Sequence, residues 1–296
     1  MKQKNQATRI SVGSKVFDVI NYTLLGLIGL ITILPFIHVV GSSFATSAEI
    51  ASTRFLLFPT KFTLDAYRFI FSTDTIFRAL GISVFVTFVG TIWSMFFSIL
   101  TAYGLSRRDL VGRRALNFLI VFTMLFNGGM IPTFLVVQQT GLLNSLWALI
   151  IPVTINAFNM IILRSFFMNL PQGLEESAKI DGASDFGILF RIVIPVSLPS
   201  IATISLFYAV TYWNTYMHAI LYLSDSTKWP VQVLLRQIVV LASGFNYDGT
   251  AYTDVPPPEV TIKMATIVVA TVPVLLVYPF LQKYFAKGAL LGSVKG

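Results

Sequence analysis

The chain has 296 residues, of which 55% are hydrophobic and only 11% are charged. Soluble domains carry about 25% charged residues, so this composition excludes a soluble domain and indicates an integral membrane protein. The formal net charge of +8 does not point to nucleic acid, because membrane proteins retain lysine and arginine in their cytoplasmic loops. The lack of cysteine excludes disulfides, thiolate metal sites and cysteine nucleophiles.

Six segments are long and apolar enough to cross a membrane, which requires about 20 residues each. The basic N-terminus is followed by an apolar run longer than the usual ~7–15 residues of a signal peptide, so we interpret that run as an uncleaved first span. The uncharged stretch 115–163 is too long for one span, and Gln138-Gln139-Thr140-Gly141 divides it into a hairpin. The predicted spans are residues 19–40, 79–106, 115–137, 142–163, 198–223 and 264–282.

The distribution of basic residues predicts the orientation of these spans. With the N-terminus in the cytoplasm, the inner segments hold 14 of the 21 lysines and arginines and the outer segments hold 7. This bias favours a multi-pass protein of the cell membrane with both termini cytoplasmic. The predicted organisation is a cytoplasmic segment 1–18, a transmembrane domain 19–285 and a cytoplasmic tail 286–296.

The outer loop of residues 224–263 is long enough to hold structure of its own. Residues 231–243 are apolar and compatible with a helix, and they follow Trp229-Pro230. The triplet Pro256-Pro257-Pro258 favours an extended polyproline conformation. We interpret it as a stiff connector, with a docking edge for an external protein as the alternative.

Between the fourth and fifth spans, residues 171–195 form a long charged interval that must lie outside the bilayer. It contains Glu176-Ser177-Ala178, three further residues, Gly182, nine residues, and then Ile192-Val193-Ile194-Pro195. This spacing resembles the EAA loop of the permease subunits of binding-protein-dependent ABC importers, E-A-A-x3-G-x9-I-x-L-P. Ser177 replaces alanine and Ile194 replaces leucine, and both changes are small.

The same interval has the signals of two short helices joined by a turn. Pro171 ends the fourth span and favours a helix start, which predicts a helix over residues 172–180. Gly182 permits a left-handed turn after it. Ser184 and Asp185 are suited to begin a second helix that runs to Pro195. An ordinary solvated loop is the alternative interpretation of each residue taken singly.

The resemblance implies an all-α protein, with the six-helix transmembrane domain of a type I ABC importer and a cytoplasmic coupling loop. It implies that Glu176 pairs with a basic residue of an ATP-binding subunit, that Ala178 packs there at close approach, and that Gly182 holds the turn. The residues assigned to ATPase coupling are Glu176, Ser177, Ala178, Asp181, Gly182, Ala183 and Pro195.

The resemblance also implies the partners. The chain has no Gly-Lys dipeptide and therefore no G-x-x-x-x-G-K-[ST] phosphate loop, so ATP and Mg²⁺ are expected on partner subunits. The expected assembly contains two ATP-binding subunits, a second permease that forms a heterodimer with this chain, and an extracellular or lipid-anchored solute-binding protein. Membrane lipid surrounds it, and no nucleic acid is expected.

Further segments are similar to carbohydrate permeases of the maltose-type class, in particular to a subgroup linked to pectin-derived oligosaccharides. This resemblance implies an oligosaccharide importer, with another solute class as the alternative. A channel or secondary transporter is disfavoured because the spans lack acidic residues, and an intramembrane enzyme because no H-E-x-x-H or paired carboxylates occur within a span. The similar segments are residues 125–132, 141–167, 212–214, 282–288 and 292–296.

Sugars are bound by aromatic faces and by amide or hydroxyl groups, and several such side chains lie at predicted membrane depth. The asparagines are equally suited to hydrogen bonding between helices, and the aromatic residues to an interfacial belt. The pair Trp213-Asn214 is the preferred candidate. The full candidate set for the solute pathway is Asn127, Asn156, Asn159, Tyr212, Trp213, Asn214 and Tyr216.

Overall fold

The computed structural model describes residues 12–53, 55–242 and 260–293, and all regular elements in these ranges are helical. The chain divides into two compact units. The first comprises Met1–Ile70 and Gly244–Val268, and the second comprises Phe71–Ser243 and Val269–Gly296. The predicted connector Pro256-Pro257-Pro258 lies outside the described residues.

The first unit contains a long apolar helix and two short ones. The helix α1 covers Val12–Ser43, α2 covers Ser47–Ser52 and α3 covers Asp65–Phe71. The Glu49 carboxylate accepts a hydrogen bond from the Thr60 amide at 2.6 Å, which closes the loop after α2. The hydrogen bonds from Thr60 lower the pKa of Glu49 below its ordinary value. This contribution to stability is present above the ordinary pKa of glutamate and is lost as the pH falls through the lowered value.

The second unit holds most of the helices and the main core. Its core is centred on α4, α7 and α11, which pack against one another, and residues of the charged loop 171–195 and of α12 and α13 complete it. The helix α14 begins in the first unit and continues into the second. The bounds are α4 Asp74–Ser106, α5 Arg113–Leu125, α6 Met130–Gln139, α7 Ala157–Met168, α8 Gln172–Ile180, α9 Asp185–Ile188, α10 Ile194–Val196, α11 Leu198–Trp213, α12 Met217–Tyr222, α13 Val231–Ala242 and α14 Val260–Ser293.

Small residues on α4 allow α11 to approach closely. The Ser94 and Ser98 hydroxyls share hydrogen bonds of 2.7 Å with Tyr212 and Tyr208 of α11. A Cβ atom at Gly90 would lie 2.8 Å from the Tyr212 ring, so only glycine fits there. Small residues and polar pairs of this kind replace the hydrophobic effect as the force between helices in lipid.

Three described helical segments are long and apolar enough to span a membrane, and three bent helix pairs raise the number to six. The six-helix fold class expected from the sequence is therefore confirmed. Three predicted spans are not single straight helices, however. Residues 115–137 bend by 115° between α5 and α6, where Gly129 has φ +87°. Residues 142–163 begin with short 3₁₀ turns before α7, and residues 198–223 break after Trp213.

Candidate functional site

The charged loop forms a helix, a tight turn and a second helix, as its sequence predicts. The α8 helix ends in two capping hydrogen bonds, from the Ala183 amide to the Ala178 carbonyl and from the Gly182 amide to the Lys179 carbonyl. Gly182 has φ +78°. This is the Schellman arrangement, which satisfies the terminal carbonyls and places glycine in the left-handed region. The Ser184 hydroxyl then accepts from the Gly187 amide and caps α9.

The second part of the loop continues helically through the predicted end at Pro195. A π-helical stretch, Leu189–Val193, separates α9 from α10. Ile188, Leu189 and Val193 are at most 1% exposed and belong to the main core. The second helix is therefore embedded in the protein, whereas the turn at Gly182 is exposed.

Two adjacent glutamates of α8 have different environments. Glu175 is paired with Arg107, which follows α4, and the same guanidinium binds Asp185 at 2.8 Å. Arg107 lies over the Tyr103 ring, and its side chain is only 13% exposed. Glu176 is exposed and forms no ion pair with a described residue. The arginine thus fixes the loop to α4 through Glu175 and Asp185, and Glu176 remains exposed.

Two further arginines attach α5 and α7 to the end of α4. Arg113 and Arg164 both donate through Nε to the Leu105 carbonyl, at 3.2 and 3.0 Å. Positive side chains are favoured there because the carbonyl end of a helix carries partial negative charge. A polar cavity of about 250 Å³ lies beside them, bounded by Arg107, Glu175 and Lys179 among other residues.

The remaining residues assigned to coupling differ in exposure. Ala178 is 8% exposed and packs in the core of its own chain, so it supports the loop from within instead of presenting a surface to a partner. Ser177 is exposed, and its hydroxyl donates to the Gly173 carbonyl at 2.7 Å. Asp181 and Pro195 are exposed, and Ala183 is partly buried.

Sequence reasoning passed over two apolar residues at the tip of the loop. Ile180 is 86% exposed and Phe186 is 68% exposed, on either side of the Gly182 turn. Both side chains are therefore accessible at the tip of a loop whose other exposed residues are mostly polar. In the sequence, the signal for these two residues was a large apolar side chain on each side of the predicted turn, within an otherwise charged loop.

The candidate pathway residues do not form one site. Tyr212 is 1% exposed and bonded to Ser94, so it serves helix packing. Trp213 lines a cavity of about 470 Å³ whose walls are almost wholly apolar, which does not suit a sugar. Tyr216 packs partly buried against the core, and Asn159 is 5% exposed. The side chains of the preferred pair Trp213-Asn214 have different surroundings. The Trp213 ring is buried, whereas Asn214 is exposed and its side-chain NH₂ donates to the Val210 carbonyl.

Asn127 and Asn156 are exposed at breaks in the helices. The Asn127 side chain accepts from the Gly129 amide at 2.9 Å, within the bend between α5 and α6. The Asn156 side chain caps α7 by accepting from the Asn159 amide at 3.1 Å. Each side-chain oxygen therefore stabilises the local backbone. Both residues are exposed, so their side-chain NH₂ groups are accessible.

Two tryptophans that contact each other, one on α4 and one on the 3₁₀ turn Leu146–Leu149, were also missed. Trp93 lies in the middle of α4, and its ring meets Trp147 edge-on at 5.6 Å. The Trp93 indole N–H donates to the Thr154 hydroxyl at 3.1 Å. Both residues remain more than a third exposed, at 36% and 40%. Trp93, in the middle of the predicted span 79–106 and away from its ends, was the signal in the sequence.

The family described as binding-protein-dependent transport system inner membrane component matches residues 82–290. This match covers more than half of the chain, and the chain belongs to that family. It is a permease subunit of an ABC importer with the type I importer fold, and a permease component of this family is not itself the ATPase.

Two relatives and one solved structure show which members of the family the chain is similar to. It is 67% identical over 284 residues to the polygalacturonan/rhamnogalacturonan transport system permease protein YtcP of Bacillus subtilis, covering 96% of this chain and 99% of the relative. It is 54% identical to protein LplC of the same organism, with 95% and 96% coverage. A crystal structure of a bacterial ABC transporter involved in the import of the acidic polysaccharide alginate contains a similar chain. That chain has a TM-score of 0.83 and 33% identity, with 93% of this chain and 98% of that chain covered.

Proposed function

We propose that this chain forms half of a membrane pathway that imports acidic oligosaccharides of the pectin type. The support is the 67% identity to a relative named for polygalacturonan and rhamnogalacturonan transport. A solved transporter of an acidic polysaccharide is similar over most of both chains. Polygalacturonan carries a carboxylate on each sugar, so the solute is an anionic oligosaccharide.

The assembly that follows from the family contains further subunits. A second, non-identical permease completes the pathway, and two ATP-binding subunits bind ATP and Mg²⁺ on the cytoplasmic side. An extracellular or lipid-anchored binding protein delivers the sugar. The chain lies in the cell membrane with both termini cytoplasmic, in agreement with the basic residues of the inner segments.

The observation that carries the coupling role is the exposed, rigidly capped turn at Gly182. Glu176 beside it pairs with no described residue, and Ile180 and Phe186 present apolar surface. These groups dock in the ATP-binding subunit. Closure of the ATP-binding subunits then displaces the loop, and the displacement reaches α4 through Arg107 and α11 through the embedded second helix. The binding protein biases this change only through different affinities for the two states.

The proposed contacts between the pathway and the solute are Trp93, Trp147, Asn127 and Asn156. The two tryptophans offer exposed aromatic faces, and the two asparagines offer exposed amides at helix breaks. Helix breaks at membrane depth are tolerated where the backbone lines a cavity or is buried in protein.

The test is uptake by the complete importer in proteoliposomes, with external binding protein and internal ATP. Oligogalacturonates of two to four residues should be accumulated and should stimulate ATP hydrolysis. Neutral maltooligosaccharides and arabinooligosaccharides serve as competitors of other solute classes. Accumulation of a neutral sugar, with no uptake of any oligogalacturonate, would reject the acidic solute class.

A cross-link tests the coupling role separately. The chain contains no cysteine, so Ser177→Cys gives a single thiol that can be paired with a cysteine in the cleft of the ATP-binding subunit. The expected disulfide makes the ATPase activity insensitive to the loaded binding protein. Failure of the cross-link in an active complex would mean that this loop is not the coupling element.

A further inference from the structure

A second polar pocket lies at the opposite end of α4 from the coupling loop. It has a volume of about 160 Å³ and lies between the first turns of α4, the 3₁₀ turn Ser226–Lys228 and the helix α13. The lining residues whose side chains can form hydrogen bonds or stack on a sugar are Thr75, Arg78, Thr227, Trp229 and Gln237. In the proposed topology this pocket faces outward.

The walls of this outer pocket are fixed by hydrogen bonds. The amide at the start of α13, that of Val231, donates to the buried Ser83 hydroxyl of α4 at 2.8 Å. The Trp229 indole N–H donates to the Leu223 carbonyl at 3.1 Å, which orients the ring. Asn144 accepts from the Asp225 amide at 3.1 Å and ties the turn to the neighbouring loop. These contacts fix the turn, the start of α13 and the Trp229 ring, so binding has to order only exposed side chains such as those of Arg78 and Gln237.

Among the residues that the structure describes, the only charged one that lines the pocket is Arg78, which carries a positive charge. Arg78 is exposed and forms no ion pair with any residue in the described ranges, including Asp74 one helical turn earlier. Asp225, on the adjoining turn, is already satisfied. It accepts from the Thr227 hydroxyl and amide at 2.6 and 2.9 Å and lies 3.8 Å from Lys228. These contacts, chiefly the Thr227 hydroxyl, lower the pKa of Asp225.

We propose that this pocket receives one uronate residue of the oligosaccharide as it leaves the solute-binding protein. The proposal rests on the proposed function and identifies where the permease recognises the acid. The Arg78 guanidinium pairs with the sugar carboxylate through two parallel hydrogen bonds. The Trp229 ring contacts the apolar face of the sugar, and Gln237, Thr75 and Thr227 bond its hydroxyls. The size of the pocket admits a single ring, so it serves as an entry site.

The first experiment measures binding without the solute-binding protein. The complete importer in nanodiscs is titrated with trigalacturonate and, separately, with the carboxyl-reduced neutral trisaccharide. Arg78→Gln should weaken trigalacturonate binding about tenfold or more, and the neutral sugar should bind the unmodified importer as weakly as the acid binds this variant. Arg78→Lys should recover part of the loss, because lysine keeps the charge but not the planar fork.

Arg236→Gln is the matched control, because Arg236 is an exposed arginine on α13 that does not line the pocket. It should leave binding unchanged. Equal binding of acid and neutral sugar, no binding of either, or equal loss in the two arginine variants would overturn the proposal. Co-purification of the ATP-binding subunits with Arg78→Gln checks that the variant is assembled.

The second experiment separates a sugar site from a contact with the binding protein. Docking of the binding protein to the importer is measured in its empty and its loaded form. Arg78→Gln should leave docking of the empty form unchanged. An equal loss for both forms would assign Arg78 to an acidic side chain of that protein and overturn the proposal.

Failure of the proposed function gives a different result. In that case the unmodified importer takes up no oligogalacturonate at all. Failure of the pocket alone leaves uptake by the unmodified importer intact, and Arg78→Gln then imports oligogalacturonate with the same dependence on concentration.

Discussion

Removing the Arg107 side chain should loosen the coupling loop from α4 without unfolding the protein. Arg107 holds Glu175 and Asp185, one on each helix of the loop. Both contacts join residues far apart in the chain, and the Lys179 ammonium, 4.0 Å from Asp185, joins the two loop helices to each other but not to α4. Arg107→Ala therefore tests whether the loop transmits force because it is fixed to α4.

The magnitude follows from the burial of the three side chains. Arg107 and Glu175 are 13% and 26% exposed, whereas Asp185 is 66% exposed. A hydrogen bond between charged groups contributes about 1.5–3 kcal/mol, and an exposed ion pair at most about 1 kcal/mol. Water can reach Glu175 after the substitution, so the cost stays below the ~3–5 kcal/mol of a fully buried pair. We expect a loss of about 2–3 kcal/mol, which is a factor of about 30–150 in the fraction of undocked loop.

Two assays report this change. Hydrogen exchange of residues 172–185 should accelerate in the assembled importer, and the number of sugars imported per ATP hydrolysed should fall. Arg107→Lys should give an intermediate effect, because one ammonium group cannot hold two carboxylates in the geometry of a guanidinium. Arg114→Ala is the control, since Arg114 is exposed and forms no ion pair within the described part of the chain. Unchanged exchange and unchanged coupling in Arg107→Ala would refute the reasoning.

Three further predictions concern the turn, the core and the topology. Gly182→Asp should strain the left-handed turn by about 1–2 kcal/mol and reduce co-purification of the ATP-binding subunit, while the chain still inserts into the membrane. Gly90→Leu should force the Tyr212 ring away from α4 and reduce the free energy of unfolding by about 1–3 kcal/mol, seen as a lower unfolding temperature in detergent. An unchanged unfolding temperature would mean that this close contact does not stabilise the protein. A reporter fused after Gly141 should read as external and one after Gly182 as internal, and the opposite reading at either site would contradict the orientation.

The local structure of the coupling loop was predictable because its signals act over a few residues. Pro171, Gly182 and Ser184 each impose a backbone requirement on their immediate neighbours, and the structure places a helix start, a left-handed turn and a cap at these positions. The helix 231–242 in the outer loop was predictable for the same reason. Chain composition sufficed to predict a membrane protein, and the all-α class followed from the apolar segments together with the resemblance to importer permeases.

The long-range contacts were not predictable from one sequence. Tyr212 is bonded to a serine 118 residues away, and Arg107 to carboxylates 68 and 78 residues away. Composition at membrane depth cannot tell a tyrosine that packs against a helix from one that lines a pathway. The bend of 115° after α5 has a signal in Asn127-Gly128-Gly129, but the prediction of span 115–137 rested on the absence of charge alone and did not use it.

The attachments of the loop determine how far a push on its tip can travel. The tip at Gly182 is exposed, but Ile188 and Val193 of the second helix are fully buried in the same core as α4 and α11. Close-packed interiors move between discrete arrangements and do not deform smoothly. A displacement of the loop therefore cannot be absorbed by a hinge at Gly182 alone while Arg107 holds both of its helices. It has to move α4 and α11 together, because Tyr208 and Tyr212 of α11 are hydrogen-bonded to Ser98 and Ser94 of α4 in the same core.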